Sequence, residues 1–181
     1  MRIAYEYDCG LEIQIFSNPR ILDDDWRSLL HKYRAMLKGF GGPLACHGAF
    51  YDLSPASMDA RVVALTRDRY LLNLDIAAEL EASPVVFHTN FFPMIRTEIY
   101  RRQWIASQAE FWSEMGQEAA KRGIEIAIEN MWDPDPYVLR DLLEKIAVPN
   151  VACCMDVSHV YLYGDDKGQE IRNWLTVLEP Y

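Results

Sequence analysis

Two stretches, Ile124-Glu-Ile-Ala-Ile-Glu129 and Val151-Ala-Cys-Cys-Met-Asp-Val-Ser-His159, decide how the chain is read. Each is an apolar run of strand length followed by residue types that bind metals. Two earlier runs share the grammar: Pro43-Leu-Ala-Cys-His47 and Pro84-Val-Val-Phe-His88. Four successive strand candidates therefore end at His47, His88, Glu129 and Asp156, and His159 follows three residues after the last.

Working outward, longer amphipathic stretches separate these runs, as expected of repeated βα units around a parallel sheet. Further strands are expected at Leu11–Phe16 and, more weakly, at Arg2–Tyr5. Helices are expected near Asp24–Leu37, Ser57–Leu80, Glu98–Arg122, Pro136–Ile146 and Lys167–Leu175. The punctuation fits: Asp23, Asp24 and Asp25 precede the first helix, Ser54-Pro55 and Ser57 offer caps for the second, and Lys121-Arg122-Gly123 closes the third. Asp133-Pro134-Asp135-Pro136 is a loop running into a helix start. No linker or low-complexity segment interrupts the chain, so a single domain over residues 1–181 is expected.

Such a pattern suits either an open doubly wound sheet or part of an eightfold barrel. The strand ends choose between them. In a (β/α)8 TIM barrel the C-terminal strand ends converge on one mouth, so the four residues would face a common centre, whereas an open sheet spreads them along an edge. About six of the eight strands are expected within this chain.

A lone histidine at a strand end is usually a hydrogen-bonded rim residue, and a lone glutamate there is usually a cap or an ion-pair partner. Five such residues together are harder to explain that way, because unpaired ions buried side by side cost several kcal/mol each. A shared divalent ion removes that cost. Mixed Glu, Asp and His donors leave Mn, Zn and Co open. Cys46 and Cys154 are expected to turn away from the ligands, and His31, in mid-helix, to lie on the surface.

Composition excludes several classes. The chain has 181 residues, 50% apolar and 25% charged, with 27 acidic against 18 basic side chains. No apolar run reaches the ~18–20 residues of a membrane span, and the N-terminus has no signal-peptide pattern. A cytoplasmic protein acting on a small molecule is expected. The acidic balance argues against a nucleic-acid partner, which clustered Lys and Arg would hold. Four cysteines without C-x-x-C spacing argue for free thiols.

The chain resembles the xylose isomerase-like TIM barrels, which share a superfamily with endonuclease IV. The resemblance rests on His47-Gly-Ala-Phe-Tyr-Asp-Leu-Ser-Pro55 with Asp59 and Arg61, on Val85-Val-Phe-His88, on Ile126-Ala-Ile-Glu-Asn130 and on Cys154-Met-Asp-Val-Ser-His159. For the sugar isomerases and epimerases of that family it implies that Glu129 is a ligand and the proton-transferring carboxylate. Asp156 would be a ligand, and His159 a contact to substrate oxygens. For the endonuclease IV-like branch it implies that His47, His88 and His159 hold zinc as well.

The expected metal set is therefore Glu129, Asp156, His47, His88 and His159, with Glu129 and His159 catalytic. His47, His88 and Trp132 are the expected contacts to a sugar-like substrate. Among the aromatics after the strands, which include Phe50, Tyr51, Phe91, Phe92, Tyr161 and Tyr163, Trp132 lies nearest Glu129 in sequence.

The family completes its site with a further His and Glu that would fall beyond Tyr181. A chain truncated before strand 7 is expected, with completion by a second copy, a homo-oligomer, as the alternative. The interval from Tyr5 to Leu11 is also too short for the usual first helix. The expected activity is metal-dependent isomerisation or epimerisation of a small sugar or hydroxy-ketone by proton transfer through an enediolate. An endonuclease IV-like multi-zinc phosphodiester hydrolase and a non-catalytic metal- or sugar-binding protein are the alternatives. The acidic mouth loops, with Asp52, Asp133, Asp135, Asp165 and Asp166, favour the first.

Overall fold

The computed structural model describes residues 2–163 and 170–181. Five strands form one parallel sheet in the sequential order β1 (Leu11–Ile13), β2 (Leu44–His47), β3 (Val85–His88), β4 (Ile126–Glu129) and β5 (Val151–Cys154). Each crossover between parallel strands needs a connection long enough to return to the starting edge. Helices α3 (Trp26–Leu37), α4 (Ala60–Leu80), α5 (Glu98–Ala120) and α6 (Pro136–Leu143) provide it. A parallel sheet whose neighbours follow sequence order, with a helix after each strand, is an arc of a (β/α)8 barrel.

The caps explain where the helices begin. Asp25, Asp59, Thr97 and Asp135 each accept a backbone N–H of the first turn of α3, α4, α5 and α6. For α4 the cap is Asp59, not the Ser54–Ser57 stretch that the sequence suggested. Ser57 instead accepts the N–H of Asp59.

Register assigns the faces. Phe87 packs outward against Tyr70 and Trp112 of the helical layer, at ring separations of 4.2 and 5.5 Å. Alternation then turns Val86 and His88 inward. His47 pairs with Val86, and Glu129 pairs with His88, so these side chains share the inner face. The core between sheet and helices is aromatic, with Tyr70, Phe87 and Trp112 fully buried.

The N-terminal segment differs from expectation. Arg2–Tyr7 is a helix, α1, so the described sheet has five strands where six were expected. Ile3, Tyr5 and Tyr7, the face that strand alternation would bury, are exposed, and Ala4 is buried. The helix closes on itself: Asp8 adopts φ +52° and the Cys9 N–H donates to Ala4 O at 2.9 Å, a Schellman-type ending. Three short helices were not foreseen: a 3-10 turn at Ile15–Ser17, which stops the expected Leu11–Phe16 strand at Ile13, α2 (Pro19–Leu22) and α7 (Val157–Tyr163). His159 therefore sits in a helix rather than in a loop. The last helix, α8, spans Glu170–Leu178; the expected Lys167 start, together with Asp165 and Asp166, lies outside the described residues.

Candidate metal centre

Three side chains meet at the C-terminal ends of β2, β3 and β4. His47 Nε2 lies 3.3 Å from His88 Nε2, and Glu129 Oε2 is 3.2 Å from His88 Nε2 and 3.7 Å from His47 Nε2. All three residues are buried. The other oxygen of the carboxylate, Oε1, faces His159 Nδ1 at 3.9 Å. Glu129, Asp156 and His159 bring one ligand atom each to within 4.8 Å of one another, as do His47, His88 and Glu129. The structure thus brings together all five residues singled out from the strand ends, in two groups that share Glu129.

Backbone carbonyls fix the imidazoles. His47 Nδ1 lies 2.8 Å from Gly48 O and His159 Nδ1 lies 2.7 Å from Asn130 O. In the neutral ring the Nδ1–H donates to the carbonyl, which leaves the Nε2 lone pair for a ligand. His88 Nδ1 is buried with no hydrogen-bond partner among the described residues.

The electrostatics favour an anionic Glu129. Burial alone would raise its pKa, but the hydrogen bonds and charge of His47 and His88 hold it down at about 2. His47 is displaced in the complementary direction. Burial opposes its charge, and the bonds to Glu129 and Gly48 with the charges of Glu12 and Glu129 outweigh that, so its pKa is raised.

These donors fit a divalent ion. Ligand atoms around a tetrahedral ion with bonds of ~2.1 Å stand ~3.4 Å apart, and the His47–His88–Glu129 triangle has edges of 3.2, 3.3 and 3.7 Å. Two neutral imidazoles and a carboxylate are donors that Zn, Co and Mn all accept.

Asp156 plays two parts. Its Oδ1 accepts the His159 N–H at 2.8 Å and so starts α7, while its backbone is clamped by the Asn130 amide: Asn130 Nδ2 donates to Asp156 O at 3.1 Å and Asp156 N donates to Asn130 Oδ1 at 2.8 Å. Asn130 thereby extends the β4–β5 ladder with a side chain and sets where Asp156 and His159 stand.

Thr89 and Gln108 escaped the sequence reading, and Asp133 stands there only as a mouth-loop acid. Thr89 donates to Asp133 Oδ2 at 2.7 Å, and Gln108 Nε2 donates to Thr89 O at 3.1 Å while its Oε1 accepts from Trp112 Nε1 at 2.6 Å. This chain of bonds ties the end of β3 to the helical core and to the β4–α6 loop. The sequence suggests a solvated loop around Asp133, but that residue is buried. The only signal was its place four residues after Glu129.

One expectation needs correction. Cys154 pairs with Glu129 in the β4–β5 register, so it shares the inner face instead of turning away, and burial followed by the Glu129 charge pushes its thiol up to about 12. Trp132 lies at the rim, where it lines two depressions: one with Phe50, the other with Arg96 and Tyr163. Phe50 meets the cluster, with its ring 5.2 Å from His47 and 5.0 Å from His88, and the Tyr163 ring lies 6.1 Å from that of His159. Phe91 is buried against Tyr100 and Trp104 and serves packing.

The chain belongs to the xylose isomerase-like TIM barrel family, whose model matches residues 7–179. An uncharacterized protein of Methanocaldococcus jannaschii, MJ1311, is 28% identical over 130 residues, which are 67% of this chain and 43% of that protein. The chain thus spans less than half the length of that curated relative. The TTHB071 protein of Thermus thermophilus, solved after soaking with ZnCl2, superposes with a TM-score of 0.80 at 29% identity over 98% of this chain and 68% of that one. A D-tagatose 3-epimerase-like protein superposes with a TM-score of 0.74 at 22% identity, over 97% and 66% of the respective chains. At that identity the likeness is one of fold. No described helix is long and apolar enough to cross a membrane.

Proposed function

We propose that the protein is a divalent-metal-dependent isomerase or epimerase that moves a proton on a small sugar or hydroxy-ketone. The observation that carries this is the position of Glu129: a buried carboxylate at the barrel mouth, with Oε2 against His47 and His88 and Oε1 turned toward His159. Family membership and the epimerase-like fold neighbour support it.

His47, His88 and Glu129 would hold one ion, and Asp156 and His159 the other side of the same carboxylate. A bound divalent cation would polarise adjacent substrate oxygens and acidify the hydrogen on the carbon between them. Glu129 takes up or returns that proton. With its pKa near 2 it is a weak base beside charged imidazoles; it needs His47 and His88 neutral, the state in which their Nε2 atoms serve as ligands. His159, anchored through Nδ1, presents Nε2 to a substrate hydroxyl. Phe50 excludes water from the floor of the site.

The test is exchange of the substrate's α-hydrogen with deuterated solvent, followed by NMR across a panel of ketoses and hydroxy-ketones. Glu129→Gln retains the shape of the site and abolishes exchange. Exchange that survives in the glutamine variant refutes the assignment of Glu129 as the base.

One observation favours a second reading. The tightest trio, His47–His88–Glu129, joined through Glu129 to Asp156 and His159, is also a frame for two ions about a phosphodiester. Metal-dependent cleavage of abasic-site DNA without any exchange would establish it. The acidic mouth, with Asp52 and Asp135 and with Arg101 paired to Asp135 and Asp141, weighs against a polyanionic substrate.

A further inference from the structure

A groove of about 960 Å³ opens beside the cluster, between the loop leading to α4 on one side and the start of α5 on the other. Its wall carries Phe50, Met58, Phe92, Trp104 and Trp132, and Asp52 is the single charged side chain among the described residues that line it. Met58 is fully exposed at the lip, and Phe92 is half exposed. The groove is continuous with the candidate metal centre through Phe50, whose ring touches both His47 and His88.

We propose that this groove binds a neutral apolar substituent, an alkyl or aryl group, carried by a sugar-like substrate whose reacting end lies at Glu129. The reacting end rests on the function proposed above; the groove's chemistry stands on its own residues. A cleft of this size lined by aromatics with a few polar groups is built to enclose a drug-sized apolar body. Aromatic faces gain from burying a flat or aliphatic partner. An anionic extension such as a phosphate finds no cation among the described residues of the groove. Arg96 lies in the neighbouring depression beyond Trp132, and Arg101 is bound to Asp135 and Asp141. Polar orientation is available from Tyr100, whose hydroxyl accepts the Phe92 N–H at 3.1 Å and keeps its own hydrogen to donate, and from the exposed amide of Gln103.

The substrate class is thus a hydroxy-ketone that carries an alkyl or aryl substituent, such as a glycoside with a ketone on its ring, rather than an unsubstituted or phosphorylated sugar; the ketone supplies the α-hydrogen that Glu129 would move, which a plain glycoside lacks. The probes are methyl and phenyl β-D-glucopyranoside, titrated into the protein with 13C-methyl methionine. Phenyl glucoside is expected to bind about tenfold tighter than the methyl compound, because the ring buries apolar area in the groove. It should shift the Met58 methyl signal to saturation and leave that of Met36, exposed on α3, unmoved. Ala106→Arg, at an exposed α5 position on the groove wall, should bring phenyl glucoside down to the methyl affinity. Equal affinities in the native chain, an unmoved Met58, the absence of saturable phenyl glucoside binding, or a preference that survives Ala106→Arg would each overturn the inference. These outcomes are read by binding alone, so they are separable from the exchange assay on Glu129, which can fail while the aryl preference stands.

Discussion

The hydroxyl of Thr89 donates to Oδ2 of Asp133 across 2.7 Å and joins the residue after His88 to the loop after Glu129. The Met131 N–H donates to the same oxygen at 2.9 Å, and Oδ1 is buried without a partner among the described residues. Burial outweighs these two bonds and raises the Asp133 carboxyl to about 6. A carboxyl whose folded pKa exceeds its unfolded value of ~3.9 holds its proton more tightly when folded, so its contribution to stability is full below pH ~4 and is lost as pH rises through ~6.

Asp133→Asn retains an acceptor for Thr89 and Met131 and cannot ionise. The variant is expected to match the native chain near pH 4 and to exceed it above pH 6, by on the order of 2 kcal/mol. Denaturant titrations at both pH values check this. A variant less stable at pH 7.5 than the native chain would show that the ionised form is held by contacts beyond those two bonds.

Metal binding follows from the tautomers. With the neutral Nε2 atoms as the proposed ligands, affinity for Zn, Co or Mn should fall as pH drops, and the fall should start above the ordinary histidine pKa since that of His47 is raised. His88→Ala and Asp156→Asn should each weaken binding at least tenfold, whereas His31→Asn on the exposed part of α3 should leave it unchanged. Calorimetric titration with each ion measures this. Equal metal content in all three variants would place the binding elsewhere.

The thiols should sort by burial. Cys9 is exposed, while Cys46 and Cys154 are pushed up to about 12, in each case chiefly by burial. The thiolate is the reactive form. Iodoacetamide at pH 7.5 is therefore expected to label Cys9 in the folded chain long before Cys46 or Cys154, as peptide mass mapping would show. Early labelling of Cys154 would mean that its thiol is not screened by Glu129 and the strand around it.

The strand ends were legible because a single requirement, convergence of ligands at a barrel mouth, acts on four βα units in the same way. His47, His88 and Glu129 announced themselves by ending apolar runs, and the structure gathers them with Asp156 and His159. Residues that act through backbone groups left less trace. Asn130 and Asp133 look like ordinary loop residues, since their roles depend on which strands become neighbours. In Arg2–Tyr7, six residues carry too little pattern to separate a strand from a short helix. For Cys154 the expectation fails by one residue of register, since Met155 stands between it and Asp156, and one step turns a side chain to the other face.

Gly48, directly after His47, has no room for a side chain. A Cβ there would stand 2.0 Å from Phe87 Cε1 and 2.2 Å from Cδ1. Phe87 cannot move aside cheaply, because its ring is fully buried with Tyr70 at 4.2 Å and Trp112 at 5.5 Å. Nor can the backbone withdraw, since the Gly48 N–H donates to Val86 O at 2.7 Å and its carbonyl holds His47 Nδ1 at 2.8 Å. Gly48→Ala is therefore expected to cost about 1–3 kcal/mol, the range for a methyl forced into a packed core. It should also weaken metal binding by loosening His47. Phe87→Leu makes room beside Gly48, so the double variant should be more stable than the sum of the two single losses predicts. Chemical denaturation of all four chains closes the cycle. Strict additivity would show that Phe87 is not what requires glycine at this position.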